Sequence, residues 1–273
     1  MGGQTPRVGL ALGGGAARGL AHLGVLEVLE ENGLRPSFVA GTSAGAIVGA
    51  AYAAGVSPSR MRERASRITW ADLTEPVIPR RSLLGTKRLQ AWLEDTLGGR
   101  AFADLVLPFV CTAADILTGE EVWLSDPGLR VSQAVRASCA IPGVFPPVRV
   151  AGRLLVDGGV FGAVPVRAAK ALGGGPVVAV HVAGAPFTGR EPQTVVATVV
   201  AALAIMQRTR DYQEMSLADA VIAPPTEAFS LMDLGAAERL AELGRTAALA
   251  ALPDLLRLWA GENPGGQASR PAR

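Results

Sequence analysis

The sequence predicts an α/β domain built on a mostly parallel sheet. Two strand–loop–helix units follow one another near the N-terminus, at 7–32 and 38–55, with glycines at the end of each strand. Consecutive units of this kind place their strands side by side and parallel, because each helix carries the chain back across the sheet. With 273 residues, 49% of them hydrophobic and 18% charged, the chain has enough apolar material for one buried core.

The first unit combines a strand, a glycine-rich loop and a helix. The apolar strand at 7–12 runs into Gly-Gly-Gly-Ala-Ala-Arg-Gly at 13–19, and the helix covers about 20–32. Leucines and a valine recur there at helical spacing and predict a face turned to the core. Gly33 fits the C-terminal cap of this helix.

The second unit carries a serine at its strand-to-helix turn. Residues 41–45 read Gly-Thr-Ser-Ala-Gly, after an apolar strand at 38–40 and before a helix of small residues. This is the context in which a G-x-S-x-G pattern exposes a serine oxygen at a sharp turn. Gly41 and Gly45 leave room for that turn, and the helix N-terminus aims N–H groups at a developing oxyanion. Ser43 is therefore the candidate nucleophile.

The remaining chain extends the domain and adds one region of different character. Residues 56–108 are rich in arginine and predict helices and loops beside or over the site, as a possible lid or cap. A solvated amphipathic face explains these charges better than lipid contact. We assign 7–260 to the domain and 261–273, rich in Gly, Pro, Ser and Arg, to a disordered tail. The other predicted elements are hairpins at 109–124 and 148–156, helices at 130–139, 165–172 and 194–215, strands at 177–182 and 220–223, and C-terminal helices to about 259.

Composition and charge argue against several classes of protein. The net charge is only +2 and no nucleic-acid-binding signature is present, so no nucleic-acid partner is expected. The N-terminus has no apolar secretion signal, and the longest apolar run, 195–206, is too short to span a bilayer. Cys111 and Cys139 lie in apolar runs and are expected to be reduced and buried. We expect a cytoplasmic protein, at most peripheral to the membrane, and the sequence leaves its oligomeric state open.

A serine nucleophile needs a base, and the chain offers two kinds. The order Ser43, Asp157, His181 nominally fits an α/β-hydrolase triad, but a histidine inside a predicted apolar strand is better explained as a core residue. The other histidine, His22, lies in the first helix. Asp157 is the better candidate, because a strand delivers it and Gly-Gly follows it, although alone this tripeptide would be explained as a turn. An ordinary carboxylate is a weak base at pH 7, so such an enzyme depends on oxyanion stabilisation.

The loop at 13–16 is suited to that stabilisation. It joins a strand to a helix and carries no side chain larger than a methyl, so several N–H groups can converge on one oxygen. Such loops also cradle phosphates, which makes a nucleotide-binding module the first alternative. The positions of Gly13, Gly15 and Arg18 break the G-x-G-x-x-G spacing, and a Walker lysine is absent from the sequence. A scaffold or regulatory protein that keeps the fold without turnover is the second alternative.

Three blocks together resemble the patatin-like phospholipase family, its bacterial branch in particular: GGGAARG at 13–19, GTSAG at 41–45 and DGG at 157–159. The stretch at 138–147 is a lesser match, and the resemblance covers roughly residues 7–250. It implies a three-layer α/β/α fold that needs no metal or cofactor. It also implies a Ser–Asp dyad that hydrolyses acyl esters of lipids, whether phospholipid, lysophospholipid or acylglycerol. By position, Ser43 matches the nucleophile and Asp157 the base.

The same resemblance assigns the oxyanion loop. Gly14, Gly15 and Ala16 match its backbone donors, Arg18 matches its basic residue, and the N–H group of Ala44 adds to the set. Ala16 stands where the family commonly has a third glycine, and an alanine is tolerated there if its φ is negative. Arg18 either stabilises negative charge or braces the loop by bonding carbonyls.

Overall fold

The computed structural model describes residues 6–78, 82–183, 191 and 193–262. The predicted tail at 261–273 lies outside this range except for its first two residues. The described strands are β1 (Gly9–Leu12), β2 (Phe38–Gly41), β3 (Glu75–Pro76), β4 (Leu84–Gly85), β5 (Phe109–Asp115), β6 (Glu121–Leu124), β7 (Val148–Val150), β8 (Arg153–Asp157), β9 (Val177–Val180) and β10 (Ala220–Ile222). The described helices are α1 (Ala21–Glu31), α2 (Ala44–Ala53), α3 (Pro58–Ala65), α4 (Trp70–Leu73), α5 (Lys87–Leu97), α6 (Val131–Ser138), α7 (Val166–Gly173), α8 (Val195–Ser216) and α9 (Ala237–Trp259).

One sheet contains the strands other than β3 and β4, which pair only with each other. Its order is β10-β9-β1-β2-β5-β8-β7, and β6 also pairs with β5. The pairs from β10 through β9, β1 and β2 to β5 are parallel, whereas β6, β7 and β8 join by antiparallel pairs. The predicted α/β class with a mostly parallel central sheet is confirmed.

Two different strands, β2 and β8, pair with the same edge of β5. β6 pairs with residues 111–114 and so fills one edge. β2 ends with Gly41 opposite Cys111, and β8 ends with Asp157 opposite Ala113, so both lie on the other edge. Since β2 is parallel to β5 and β8 antiparallel, their C-terminal ends face each other with one residue of β5 between them. The segments that follow Gly41 and Asp157 are therefore neighbours.

Helices cover both faces of the sheet and give three layers. Helices α1, α2, α6 and α9 share the larger apolar core with Leu10 and Leu12 of β1. Helix α7 covers the opposite face, where Ala11 and Ala40 point. Successive strand residues point to opposite faces, and these strands are buried on both, as parallel strands in α/β proteins are.

Helices α1 and α9 approach each other through two glycines. A Cβ placed on Gly24 would lie 1.8 Å from the Ala241 carbonyl oxygen, and one placed on Gly244 would lie 1.8 Å from the Ala21 carbonyl oxygen. Both distances are far below van der Waals contact. The glycines therefore set the distance between the two helices, and with it the packing over the first strand–loop–helix unit.

The described residues of the arginine-rich region at 56–108 lie outside the main sheet, and β3 and β4, where the sequence predicted only helices and loops, pair there with each other. Helix α3 contacts α1 and α9, and α5 contacts α6. Arg62 of α3 forms ion pairs with Glu27 at 2.8 Å and with Glu238 and Glu242 at 2.7 Å. This arginine therefore joins three helices. The function of the region as a lid remains a prediction.

Three element boundaries differ from the sequence-based expectation. The strand predicted at 177–182 ends at Val180, because β1 ends beside it and the Gly13 N–H closes the ladder on the Val180 carbonyl. His181 is thus beyond the strand and not within it. The first helix is preceded by a 3₁₀ turn at Ala16–Leu20. The predicted C-terminal helices form one long helix, α9, which follows a short 3₁₀ turn and contains Pro253.

We expect Gly24→Ala to lower the free energy of unfolding by at least about 2 kcal/mol, because the new methyl overlaps the Ala241 carbonyl and forces the helices apart. Denaturant unfolding followed by circular dichroism measures the effect. Gly128→Ala is the matched control, since its Cβ would meet nothing closer than 3.5 Å. Equal stability of the two variants would show that Gly24 does not limit the distance between α1 and α9.

Candidate active site

Ser43 occupies a strained turn between β2 and α2. Its φ is +54° and its ψ is −121°, a region that residues other than glycine rarely adopt. A Cβ on Gly45 would lie 2.0 Å from the Leu12 carbonyl oxygen, and one on Gly41 would lie 2.5 Å from the Gly45 carbonyl oxygen. The glycines on either side of the serine are therefore required by the close approach of backbone, as the sequence pattern indicates.

A side chain from α6 holds the backbone of this turn. The Ser43 N–H donates a hydrogen bond of 2.9 Å to the Oγ of Ser138, which is fully buried. The sequence places Ser138 only in a stretch of lesser family resemblance, and no local pattern identifies its partner. It anchors the amide of Ser43, so that amide is not available to an incoming substrate.

Asp157 reaches the same place from β8. Its carboxylate is 5% exposed, its Oδ1 accepts a hydrogen bond of 2.8 Å from the Gly159 N–H, and the Ser43 side chain is close enough to influence its pKa. Burial raises the pKa of Asp157 to about 6, and the Gly159 N–H and the Ser43 side chain oppose the rise. The structure thus brings together the two residues that the sequence paired, and it gives the carboxylate a stronger basicity than an exposed aspartate has.

Thr112 of β5 fills the gap between the ends of β2 and β8. Its Oγ1 lies 2.7 Å from the Oγ1 of Thr42, within hydrogen-bond distance. A Cβ on Gly158 would lie 2.3 Å from the same Thr112 oxygen, so only glycine fits after the aspartate. This contact fixes the serine turn relative to the aspartate turn.

The glycine loop lies directly over the serine turn. A Cβ on Gly14 would be 3.2 Å from the Cβ of Ser43. Among the described residues, the N–H groups of Gly15 and Ala16 have no acceptor, and neither has the N–H of Ala44 at the start of α2. These three groups are therefore available to a substrate oxygen.

Gly14 differs from the sequence-based set of donors. Its N–H donates 2.9 Å to the Ala163 carbonyl and is engaged within the protein. The Ala163 N–H in turn donates 2.6 Å to the buried carboxylate of Asp211 on α8. Gly14 therefore anchors the loop to the segment after Asp157. Sequence reasoning missed Asp211, because no motif surrounds it.

Ala16 does not meet the condition set for an alanine at its position. Its φ is +48°, in the left-handed region that glycine enters freely and alanine enters at a cost of about 1 kcal/mol or more. The loop therefore keeps the conformation of a glycine loop in spite of the methyl group.

Arg18 points away from the loop amides and into the C-terminal segment. Its guanidinium donates to the carbonyls of Phe229 at 3.0 Å and Glu227 at 3.2 Å, and also to that of Ala183. Burial lowers its pKa from the usual value. Of the two roles that the sequence leaves open, this geometry fits the brace that bonds carbonyls.

The two histidines do not contact the serine or the aspartate. His22 is fully buried, its Nε2 lies 2.8 Å from the Gly13 carbonyl, and burial lowers its pKa to about 4. Burial also lowers the pKa of His181. Within the described part of the chain, no hydrogen bond joins either imidazole to Ser43 or Asp157. The His22 ring is neutral and supports the glycine loop from below.

The two cysteines are free and buried. Burial is the main cause that raises the pKa of Cys139, and the nearby Asp157 adds to it. The thiol is therefore un-ionised and belongs to the buried core. Among the described residues there is no cluster of His, Cys, Asp or Glu that could hold a metal ion. None of the described helices combines the length and hydropathy needed to cross a membrane.

A serine in a strained turn, a buried carboxylate beside it and amides without an acceptor among the described residues thus lie together at the ends of β2 and β8. The chain belongs to the patatin-like phospholipase family, whose model matches residues 10–170. The resemblance inferred from the three sequence blocks is thereby confirmed.

Relatives share this region with the chain. An uncharacterized NTE family protein of Mycobacterium tuberculosis is 37% identical over 200 residues, 70% of this chain and 54% of that protein. A second one from the same organism is 31% identical over 279 residues, 92% of this chain and 48% of that protein. Lysophospholipase nte1 of Aspergillus fumigatus is 34% identical over 184 residues, 64% of this chain and 12% of that protein. The chain thus spans about half the length of the mycobacterial relatives.

Two solved structures resemble the fold. VipD from Legionella pneumophila aligns with a TM-score of 0.52 and 15% identity, over 92% of this chain and 67% of that one. The type III effector protein ExoU, from Pseudomonas aeruginosa, aligns with a TM-score of 0.54 and 16% identity, over 92% of this chain and 53% of that one. At these identities the likeness shows the fold alone.

The buried carboxylate gives the protein a pH-dependent stability. An unfolded Asp titrates near its model value of 3.8 and folded Asp157 at about 6, so the folded state binds more protons between these values. Stability therefore falls as pH rises through this window, and the full cost of about 3 kcal/mol is present above it. We expect Asp157→Asn to stabilise the fold, by roughly 1 kcal/mol more at pH 8 than at pH 5.

Denaturant unfolding of the wild type and the variant at both pH values measures this difference. Glu63→Gln, which changes a largely exposed carboxylate, is the control and should show no such gain. A gain for Asp157→Asn that does not change with pH would mean that the carboxylate is not buried at a cost.

Proposed function

We propose that this protein is a serine acyl hydrolase that cleaves carboxylic esters of lipids through an acyl-enzyme. Membership of the patatin-like phospholipase family supports lipid hydrolysis. The observation that carries the finer proposal is the meeting of Ser43 and Asp157 at the ends of β2 and β8, where a buried carboxyl with its pKa raised to about 6 lies close enough to the Ser43 side chain to be influenced by it. A base with this pKa is ionised at neutral pH and accepts a proton more readily than an exposed aspartate does.

In the proposed cycle, Ser43 attacks the ester carbonyl while Asp157 takes its proton. The negative charge that develops on the carbonyl oxygen is stabilised by the free N–H groups of Gly15, Ala16 and Ala44. Asp157 then gives the proton to the leaving alcohol as the bond between carbonyl carbon and alkoxy oxygen breaks. Water, activated by the same carboxylate, attacks the acyl-serine and releases the fatty acid. The cycle uses no metal or cofactor.

The substrate class is proposed at the level of lipid esters. The Aspergillus relative is named a lysophospholipase, so a lysophospholipid is the first substrate to test, before phospholipid and acylglycerol. Lipid esters are presented at aggregates and membranes, and peripheral contact with a lipid surface belongs to the proposal. The alternative of a scaffold without turnover predicts no hydrolysis of any of these esters.

We expect Ser43→Ala to reduce hydrolysis of a short-chain nitrophenyl ester to background. Asp157→Asn should lower kcat at least about a hundredfold, because a general base contributes that much or more.

His181→Ala should keep most of the activity, since no bond joins this imidazole to the dyad residues. Labelling by a fluorophosphonate probe, with folding checked by circular dichroism, reports on the serine independently. Large loss of turnover in a folded His181→Ala variant would favour a Ser-His-Asp triad instead.

The pH dependence of kcat/KM should report the carboxyl of Asp157. Because the base must be ionised, kcat/KM should fall about tenfold per pH unit below about pH 6 and level off above it. His181→Ala should leave this acid limb in place. A profile that is flat from pH 5 to 8, in an enzyme whose turnover requires Ser43, would contradict a carboxylate base with this pKa.

A further inference from the structure

Helix α8 is attached to the protein by its C-terminal half. The carboxylates of Asp211 and Glu214 are buried, and they accept hydrogen bonds from the backbone N–H groups of Ala163 at 2.6 Å and Arg167 at 2.8 Å. These contacts fix the helix against the segment that follows Asp157.

The N-terminal half of α8 is apolar and lies outside the buried core formed by the described residues. The run from 195 to 207 contains no charged residue. None of its described side chains is buried, and none belongs to the apolar core on either face of the sheet. Ile205 and Met206 are 60% and 68% exposed. An apolar helix of this length ordinarily covers an apolar surface.

One face of this half leads directly to the candidate site. Gln207 lies on the same helix face as Asp211 and Glu214, at spacings of four and seven residues. A Cβ on Gly159 would lie 3.0 Å from both the Nε2 of Gln207 and the Oδ1 of Asp157, so the glutamine and the carboxylate both border Gly159.

The same face continues toward the helix N-terminus with apolar residues. Leu203 and Ala204 precede Gln207 by four and three residues and are half-buried, whereas Ala202 and Ile205 on the opposite face are exposed. The face is therefore polar beside the dyad residues and apolar beyond them.

We propose that this inner face of α8 is one wall of the binding site for the acyl chain of the substrate. The proposal rests on the proposed function, because the chain to be bound belongs to the ester that Ser43 attacks. The order of residues along the face matches such a ligand, whose polar ester group is at the dyad and whose hydrocarbon leads away from it. A lipid surface or a second copy of the protein would instead contact the outer face, where Ile205 and Met206 stand exposed.

The test compares one substitution on the two faces of the helix. Ala204→Trp places a large apolar side chain on the inner face, and Ala202→Trp places the same side chain on the outer face. Hydrolysis of nitrophenyl esters of four and sixteen carbons in the same mixed micelles gives the ratio of the two kcat/KM values. We expect this long-to-short ratio to fall at least tenfold in Ala204→Trp and to change less than about twofold in Ala202→Trp. Thermal unfolding confirms that both variants are folded.

An unchanged long-to-short ratio in Ala204→Trp would overturn the proposal. An equal fall of the ratio in both variants would also overturn it, because that result is expected if the outer face of α8 contacts a lipid surface or a second copy of the protein. If Ala204→Trp does not fold, Leu203→Ala replaces it. Loss of the contact between the Leu203 side chain and the acyl chain should raise KM for the sixteen-carbon ester and leave KM for the four-carbon ester unchanged. Displacement of a fluorescent fatty acid from Ser43→Ala protein separates the two proposals. Absence of turnover in the wild type refutes the proposed function, whereas fatty-acid binding that is insensitive to Ala204→Trp refutes the wall.

Discussion

The shared edge of β5 is the constraint on which the candidate site depends. A parallel strand that ends at Gly41 and an antiparallel strand that ends at Asp157 use the same edge, with only the position of Thr112 between them. The backbone therefore delivers Ser43 and Asp157 to one point before any side chain is considered. The positive φ of Ser43 turns its side chain out of the strand, and the glycines after Asp157 allow the backbone there to pack closely against its neighbours.

Burial of the Asp157 carboxylate links the chemistry to the stability of the fold. The Gly159 N–H and the Ser43 side chain lower its pKa, yet burial outweighs them and leaves the carboxyl titrating at about 6. A more fully bonded carboxylate would be a weaker base and a better contributor to stability at neutral pH. The fold holds this residue, like the left-handed Ala16, in a state that costs free energy, which is characteristic of functional sites.

Much of this arrangement is predictable from the sequence, and the part that is not has a physical explanation. The flanking strand and helix identify Ser43, and the glycines around it are explained by backbone contacts of 2.0–2.5 Å. The donor set is less predictable, because sequence cannot show that the N–H of Gly14 is already bonded to Ala163. Ser138 and Asp211 were missed for the same reason, since they act through contacts between residues 95 and 48 positions apart.

The antiparallel direction of β8 has a mechanical consequence. The parallel strands that carry Ser43 and the glycine loop form one continuous body, whereas Asp157 is carried by the β7–β8 hairpin, which packs on α6. Helix α6 also holds the Ser43 amide and contacts α5 of the arginine-rich region. Helix α6 thus contacts the supports of both Ser43 and Asp157, and a substitution in its packing would bear on both residues at once.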